Sequence, residues 1–203
     1  MRAHGAVEPR LASGTRHIAC MDQVDGVPVP VARVVRGLPL GRSVADAENP
    51  LAMQDLDDRS DTRSRRVPAA AAAVFAAMRD PQRVARWWGP QGFRNTIHTF
   101  EFREGGRWLL TMHGPDGSNF DSDNRFTRLV PDRLVEIEHF TGHHFVLTVE
   151  LIPQAQATEI AWRQTFDSAE HYASIAPFVT AANEQNLERL AAEVARGAGG
   201  GAG

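Results

Sequence analysis

The chain has 203 residues, 42% of them hydrophobic and 23% charged, the proportions of an ordinary globular protein. A net charge of -3 with eight neutral histidines is too mild for a nucleic-acid surface, which announces itself as a basic patch or stripe. One cysteine, Cys20, excludes an intramolecular disulfide, no stretch approaches the ~20 apolar residues that cross a bilayer, and no apolar signal core follows the N-terminus, so the cytoplasm is the expected compartment and no membrane partner is expected.

Residues 1–60 differ from the rest. They carry Pro9, Pro28, Pro30, Pro39 and Pro50, scattered glycines and no aromatic residue, the first being Phe75. Such a segment cannot bury much apolar area, so a disordered extension is expected, with a short strand near Val31 to Val35 as its one ordered candidate. Translation from Met53 is an alternative start that would yield roughly 150 residues, a single-domain size. The intact mass of the native protein separates the two starts. At the other end, residues 197–203 read GAGGGAG and are expected to form a flexible tail.

Between these ends, residues 61–196 are patterned. Asp61 to Val67 predicts a short first strand. Ala69 to Met78, Ala-rich and preceded by Pro68, predicts a helix. Asp80-Pro81 reads as an N-cap and first helical residue of a second helix through Trp87, which Gly89-Pro90 ends. The period then changes from helical to alternating. Thr96 to Phe102 places His98, Phe100 and Phe102 on one face, and after the Gly105-Gly106 turn Trp108, Leu110 and Met112 alternate. Gly114-Pro115-Asp116-Gly117 turns the chain into Asn119 to Val130, with Phe126 as inward anchor. Leu134 to Phe140 follows, then Phe145, Leu147, Val149 and Leu151 on one face of a fifth strand of this run. Thr158, Ile160, Trp162, Gln164 and Phe166 share a face of the sixth. A terminal helix begins at Asp167 or Ser168, should kink or break at Pro177, and continues from Val179 to Arg196.

The order strand, two short helices, six strands, long helix predicts an α+β fold. An antiparallel meander must bury its apolar face against the final helix, and a strongly curved sheet gripping that helix leaves a pocket between them. Trp88, Phe100, Trp108, Met112, Phe126, Phe145, Leu147 and Trp162 are the expected apolar lining. His139, on the face of Val135 and Ile137, and Gln164 are the expected polar contacts. A buried amide needs a partner, which for Gln164 is either a ligand or the core, and Asn183 on the last helix could join that set, while Gln185 reads as surface.

Other chemistry has less support. His139, His143, His144 and His113 do not present three or four converging ligands, so no metal is expected. His98, His139, Glu138 and Asp123 are the types an acid–base catalyst could use, with His139 the one candidate on an inward face. No Gly-x-Ser-x-Gly elbow and no phosphate-cradling Gly loop occur, and no cofactor is expected.

Several motifs together resemble one family. Arg66-Val67-Pro68-Ala69, Val74-Phe75-Ala76-Ala77, Asp80-Pro81 and Arg86-Trp87-Trp88-Gly89-Pro90 are followed in order by Gly105-Gly106-Arg107-Trp108, Gly114-Pro115-Asp116-Gly117, Pro131-Asp132-Arg133-Leu134-Val135, Thr158-Glu159-Ile160 and Asn186-Leu187-Glu188-Arg189-Leu190-Ala191. This set resembles the activator-of-heat-shock-protein-ATPase-homologue-like (AHSA-type) branch of the START-like helix-grip (SRPBCC) superfamily, which also holds lipid-transfer domains, pollen allergens and polyketide cyclases. The resemblance implies a helix-grip fold with a cavity for a small hydrophobic or amphipathic molecule and no common activity. Two alternatives stay open: a cyclase- or aromatase-like enzyme using His139, and a chaperone-partner module, which would need an exposed apolar patch. Edge strands also make a homodimer a candidate.

Overall fold

The structure, a computed structural model, describes residues 50–199. The expectations for residues 1–49, the strand near Val31 included, and for residues 200–203 lie outside the described residues. The elements run α1 (Pro50–Asp58), β1 (Ser60–Val67), α2 (Ala71–Arg79), α3 (Pro81–Trp87), β2 (Arg94–Phe100), β3 (Arg107–His113), β4 (Asn119–Val130), β5 (Leu134–His139), β6 (Phe145–Gln154), β7 (Ala157–Phe166) and α4 (Ala169–Gly199). The seven strands form one antiparallel sheet in the order β1-β7-β6-β5-β4-β3-β2. Six strands form a meander and the first pairs with the last, so chain entry and exit meet beside α4. This is the helix-grip arrangement, with α2, α3 and α4 on one face of the sheet.

Helix α1 falls within the segment expected to be unstructured. Pro50 suits its first position, and side-chain bonds from Gln54 to Asp58 and from Arg59 to Asp55 tie its exposed turns. At the other end α4 continues through Arg196 to Gly199. Of the kink or break expected at Pro177, the break does not occur, since α4 runs through that residue as a single element. Proline removes one helical N–H, orphaning the carbonyl of Ala173 four residues earlier. Both residues are exposed, so water can satisfy that carbonyl.

The second helix starts as predicted. The Asp80 carboxylate accepts from the backbone N–H of Gln82 at 2.8 Å and of Arg83 at 3.4 Å, with Pro81 at the first helical position. Asp80→Ala is expected to lower the unfolding free energy by about 1 kcal/mol, measured by urea denaturation, whereas Asp80→Asn should retain most of the stability.

Two irregularities reset which residues face inward. The β2–β3 register shifts between Ile97 and Thr99, and the β4–β5 register between Phe126 and Arg128. At a bulge the alternation slips by one, so Ile97 and Phe100 both pack on the core while His98 turns to solvent. The expectation that His98 shares a face with Phe100 is therefore wrong. Its Nε2 lies 2.8 Å from the Thr111 hydroxyl on the outer face. Likewise Phe126 and Leu129 both reach the core across the second bulge. Among the described residues, no helix is long and apolar enough to cross a membrane.

Candidate functional site

The inner face of the sheet carries a cross-strand row set by the register: Phe100 beside Trp108, then Asn124, His139, Phe145 and Phe166. Trp108, Phe126, Leu147 and Trp162 are fully buried, while Phe100, Met112, His139 and Phe145 are half-buried. Trp88 is 8% exposed. It touches Trp108 edge-on at 4.7 Å and Trp162 at 6.1 Å between ring centroids, while Phe100 meets both Trp108 and Phe126 edge-on. The aromatic residues expected to line a roomy interior thus pack against one another. The structure gathers all ten expected lining residues to the inner side of the sheet, and its account of the polar ones differs from the sequence reading.

The inner face holds two apolar clusters. The larger joins Trp88, Trp108, Phe126, Leu147 and Trp162 to Leu187 and Leu190 of α4, while the smaller joins Phe166 to Ile175 and Val179. Phe145 packs against both, and His139 stacks on Phe145 with centroids 4.6 Å apart. Asn124 Nδ2 donates to the Trp108 carbonyl at 3.1 Å and to Ser122 Oγ at 3.0 Å. Its Oδ1 therefore faces His139 Nδ1, 2.8 Å away, and Nδ1 carries the proton of the neutral ring. Burial drives the His139 pKa down to about 4, against the opposing pull of the Thr141 backbone, so the imidazole is neutral at pH 7.

Gln164 finds its partner in the core. Asn183 Nδ2 of α4 donates to Gln164 Oε1 at 2.8 Å and to Asp61 Oδ2 at 3.0 Å. Asp61, 1% exposed, also accepts from Arg63 at 2.9 Å and Thr180 at 3.0 Å. Burial pushes the Asp61 carboxyl pKa up, but the bonds from Arg63, Asn183 and Thr180 outweigh it and hold the group below its usual value. Asp61, Ser122 and Asn124 were missed in the sequence because polar residues in alternating strands read as solvent-facing. The one available signal was the spacing of Ser122 and Asn124, in phase with the inward Phe126.

The remaining candidates lie elsewhere. Glu138 lies within 3.1 Å of His144 Nε2, and Asp123 pairs with Arg107 on the exposed side. His113 bridges Thr96 and Asn119. His143 Nδ1 lies 2.7 Å from His171 Nε2 at the start of α4, and His144 Nδ1 lies 2.7 Å from Asp167. Among the described residues, no three His, Cys, Asp or Glu side chains converge as a metal site.

Helix α4 also fixes the Trp-Trp-Gly-Pro turn. Gly89 N–H donates to Asn186 Oδ1 at 2.7 Å, and Arg189 Nη1 donates to the Gly89 and Pro90 carbonyls, both at 2.6 Å. Arg189 Nη2 reaches the Arg86 and Phe93 carbonyls, and Asn95 Nδ2 donates to the Trp88 carbonyl at 2.7 Å. Gln185, expected at the surface, is half-buried and accepts from the Gln91 N–H at 2.8 Å. Gly89 has φ +91°, and a Cβ there would sit 2.7 Å from Met112 Cε, so the turn admits only glycine without strain. The resemblance motif near Thr158 is also structural, its hydroxyl donating to the Ala69 carbonyl at 2.7 Å.

Known structures share this architecture. A solution structure of a protein from Arthrobacter aurescens is 25% identical with a TM-score of 0.65, covering 70% of this chain and 89% of its own. A crystal structure of a Nitrosomonas europaea protein is 12% identical with a TM-score of 0.62, covering 69% and 96% respectively. One from Chromobacterium violaceum is 21% identical with a TM-score of 0.58, covering 66% and 95%. Among curated proteins no sequence match is found. The family model described as Activator of Hsp90 ATPase homolog 1-like protein matches residues 68–195, from the entry of α2 to the last turns of α4. That match spans more than half of the 203 residues, and the chain belongs to this family.

Proposed function

We propose that the domain binds a small hydrophobic or amphipathic molecule between the inner face of the sheet and α4. The observation that carries this reading is His139, bonded to Asn124 and stacked on Phe145, the residue that packs against both apolar clusters. An apolar lining with a few fixed polar groups is the usual composition of a small-molecule site. In this role Trp88, Phe100, Met112, Phe126, Phe145, Leu147 and Trp162 supply apolar contact, and His139 orients a polar group of the ligand. Gln164 serves by holding Asn183 and thereby α4 in place.

The same histidine weighs against turnover. A general base works best with a pKa near the working pH, and a pKa of about 4 leaves His139 a weak one. Its setting favours an orienting role over a cyclase-like one. The chaperone-partner reading lacks a visible surface, because the exposed large apolar residues among those described, Phe140, Ile152 and Phe178, lie on different elements.

Native mass spectrometry of the purified full-length chain, followed by denaturing extraction, tests the proposal. A reproducible bound compound that raises the melting temperature of the emptied protein is the expected result. An empty protein with no thermal shift across a broad library of apolar compounds would remove the ligand role.

A further inference from the structure

The chain has four tryptophans, and their N–H groups differ in how they are satisfied. Trp87 Nε1 donates to the Ala77 carbonyl at 3.0 Å. Trp108 and Trp162, 2% and 1% exposed, bury their Nε1 atoms with no acceptor among the described residues. A buried donor left unpaired is destabilising, and buried tryptophans ordinarily find a partner. Both unpaired indoles lie in ring contact with Trp88.

Trp88 has a backbone that cannot give and a side chain that can. Its carbonyl accepts from Asn95, and the next peptides are held by Asn186 and Arg189. Any opening there must be a rotation of the Trp88 indole on a fixed backbone, next to the flexible Met112 side chain that already crowds Gly89. The cations nearest these rings are engaged elsewhere, Arg63 with Asp61 and Arg189 with the carbonyls of the Trp88-Gly89-Pro90 turn. An anion would in addition have to shed its water against the apolar rings, which favours a neutral group.

We infer that the Trp88 indole is a gate. The molecule that displaces it offers an uncharged hydrogen-bond acceptor, of the ketone, ester or ether class on an aromatic or alicyclic body, to the N–H groups of Trp108 and Trp162. This rests on the ligand reading above and deepens it, because the primary polar anchor becomes the indole pair and the ligand's acceptor becomes the selected feature.

Benzophenone and diphenylmethane are a matched probe pair, differing in one carbonyl. Titrated into the 15N-labelled full chain, benzophenone is expected to bind roughly tenfold tighter, the scale of one or two added hydrogen bonds. It should move the Trp108 and Trp162 indole resonances and leave that of Trp87 in place. Trp108→Phe and Trp162→Phe should each shrink the ketone-to-hydrocarbon affinity ratio, a readout that general loss of packing does not move. Trp88→Leu should speed association of both probes, and unchanged rates would refute the gate. If both probes bind equally with the indole resonances still, the acceptor pairing is wrong while the ligand reading stands. If other apolar compounds stabilise the protein and benzophenone does not, the inference again fails alone. If no compound of a broad library binds, both fail.

Discussion

Replacing Glu193 by alanine is expected to lower the unfolding free energy by about 3 kcal/mol. Glu193 sits on α4 and is 2% exposed. Its carboxylate accepts from Arg83 Nε at 3.0 Å and from Arg86 Nη2 at 2.7 Å, both on α3, and pairs with Arg196 at 2.7 Å one turn along its own helix. Burial pushes the carboxyl pKa up, but the bonds from Arg86 and Arg83 and the charge of Arg196 bring it below its usual value. The group is therefore ionised, and removing it leaves cations facing one another at the α3–α4 contact. The figure stands at the low end of the ~3–5 kcal/mol seen when one partner of a buried pair is removed, because the half-exposed Arg86 and exposed Arg196 can turn to water. Truncating Arg86 alone should change stability by less than about 1 kcal/mol. Urea denaturation with an unchanged m-value is the measurement. A loss below 1 kcal/mol for Glu193→Ala would mean that solvent already screens the cluster.

Lowering the pH from 7 to 5 is expected to remove about 2 kcal/mol of stability through His139 alone. Its folded pKa is pushed from 6.5 down to about 4 by burial. Between those values the unfolded chain binds more protons than the folded one, so stability falls as pH falls through the window and levels off below the folded pKa. His144 acts with the opposite sign. Burial pulls its pKa down, but Asp167 and Glu138 raise it above the ordinary value, so its contribution is present at low pH and lost as pH rises through the folded pKa. Asp61 and Glu193, whose pKa values are depressed, lose their contributions only further into acid. Comparing the wild type with His139→Gln isolates the histidine. The variant should show a markedly flatter stability profile between pH 7 and pH 5, read from urea midpoints. Parallel profiles for the two proteins would show that His139 is as readily protonated folded as unfolded.

The legible parts of the fold were those with periodic apolar residues or defined turn chemistry. The β3 face of Trp108, Leu110 and Met112, the β6 face of Leu147, Val149 and Leu151, and the Asp80-Pro81 helix start all follow from spacing, because side chains alternate in strands and capping residues are few. Strand β1 was faint because Val67 at its end is the one apolar residue among its inward positions, the others being held by Asp61, Arg63 and Arg65. They face the sheet-side surface of α4, where Asn183, Thr180 and Glu184 meet them. A polar strand whose partners lie more than a hundred residues away leaves no local pattern to read. The bulge at Ile97–Thr99 was equally silent, and it sent His98 to the surface.

By itself the sequence determined the element order from β1 onward, the aromatic supply of the interior and the family, since these depend on local propensity, alternation and ordered motifs. Only the tertiary structure decided how the polar side chains are used. It paired Gln164 with Asn183, set His139 on Asn124, turned Arg189 onto the Trp88-Gly89-Pro90 turn, and left two indole N–H groups without an acceptor among the described residues. Hydrogen bonds are directional and join groups far apart in the chain, so their pairing depends on register, bulges and the placement of α4, none of which is encoded within a short stretch of residues.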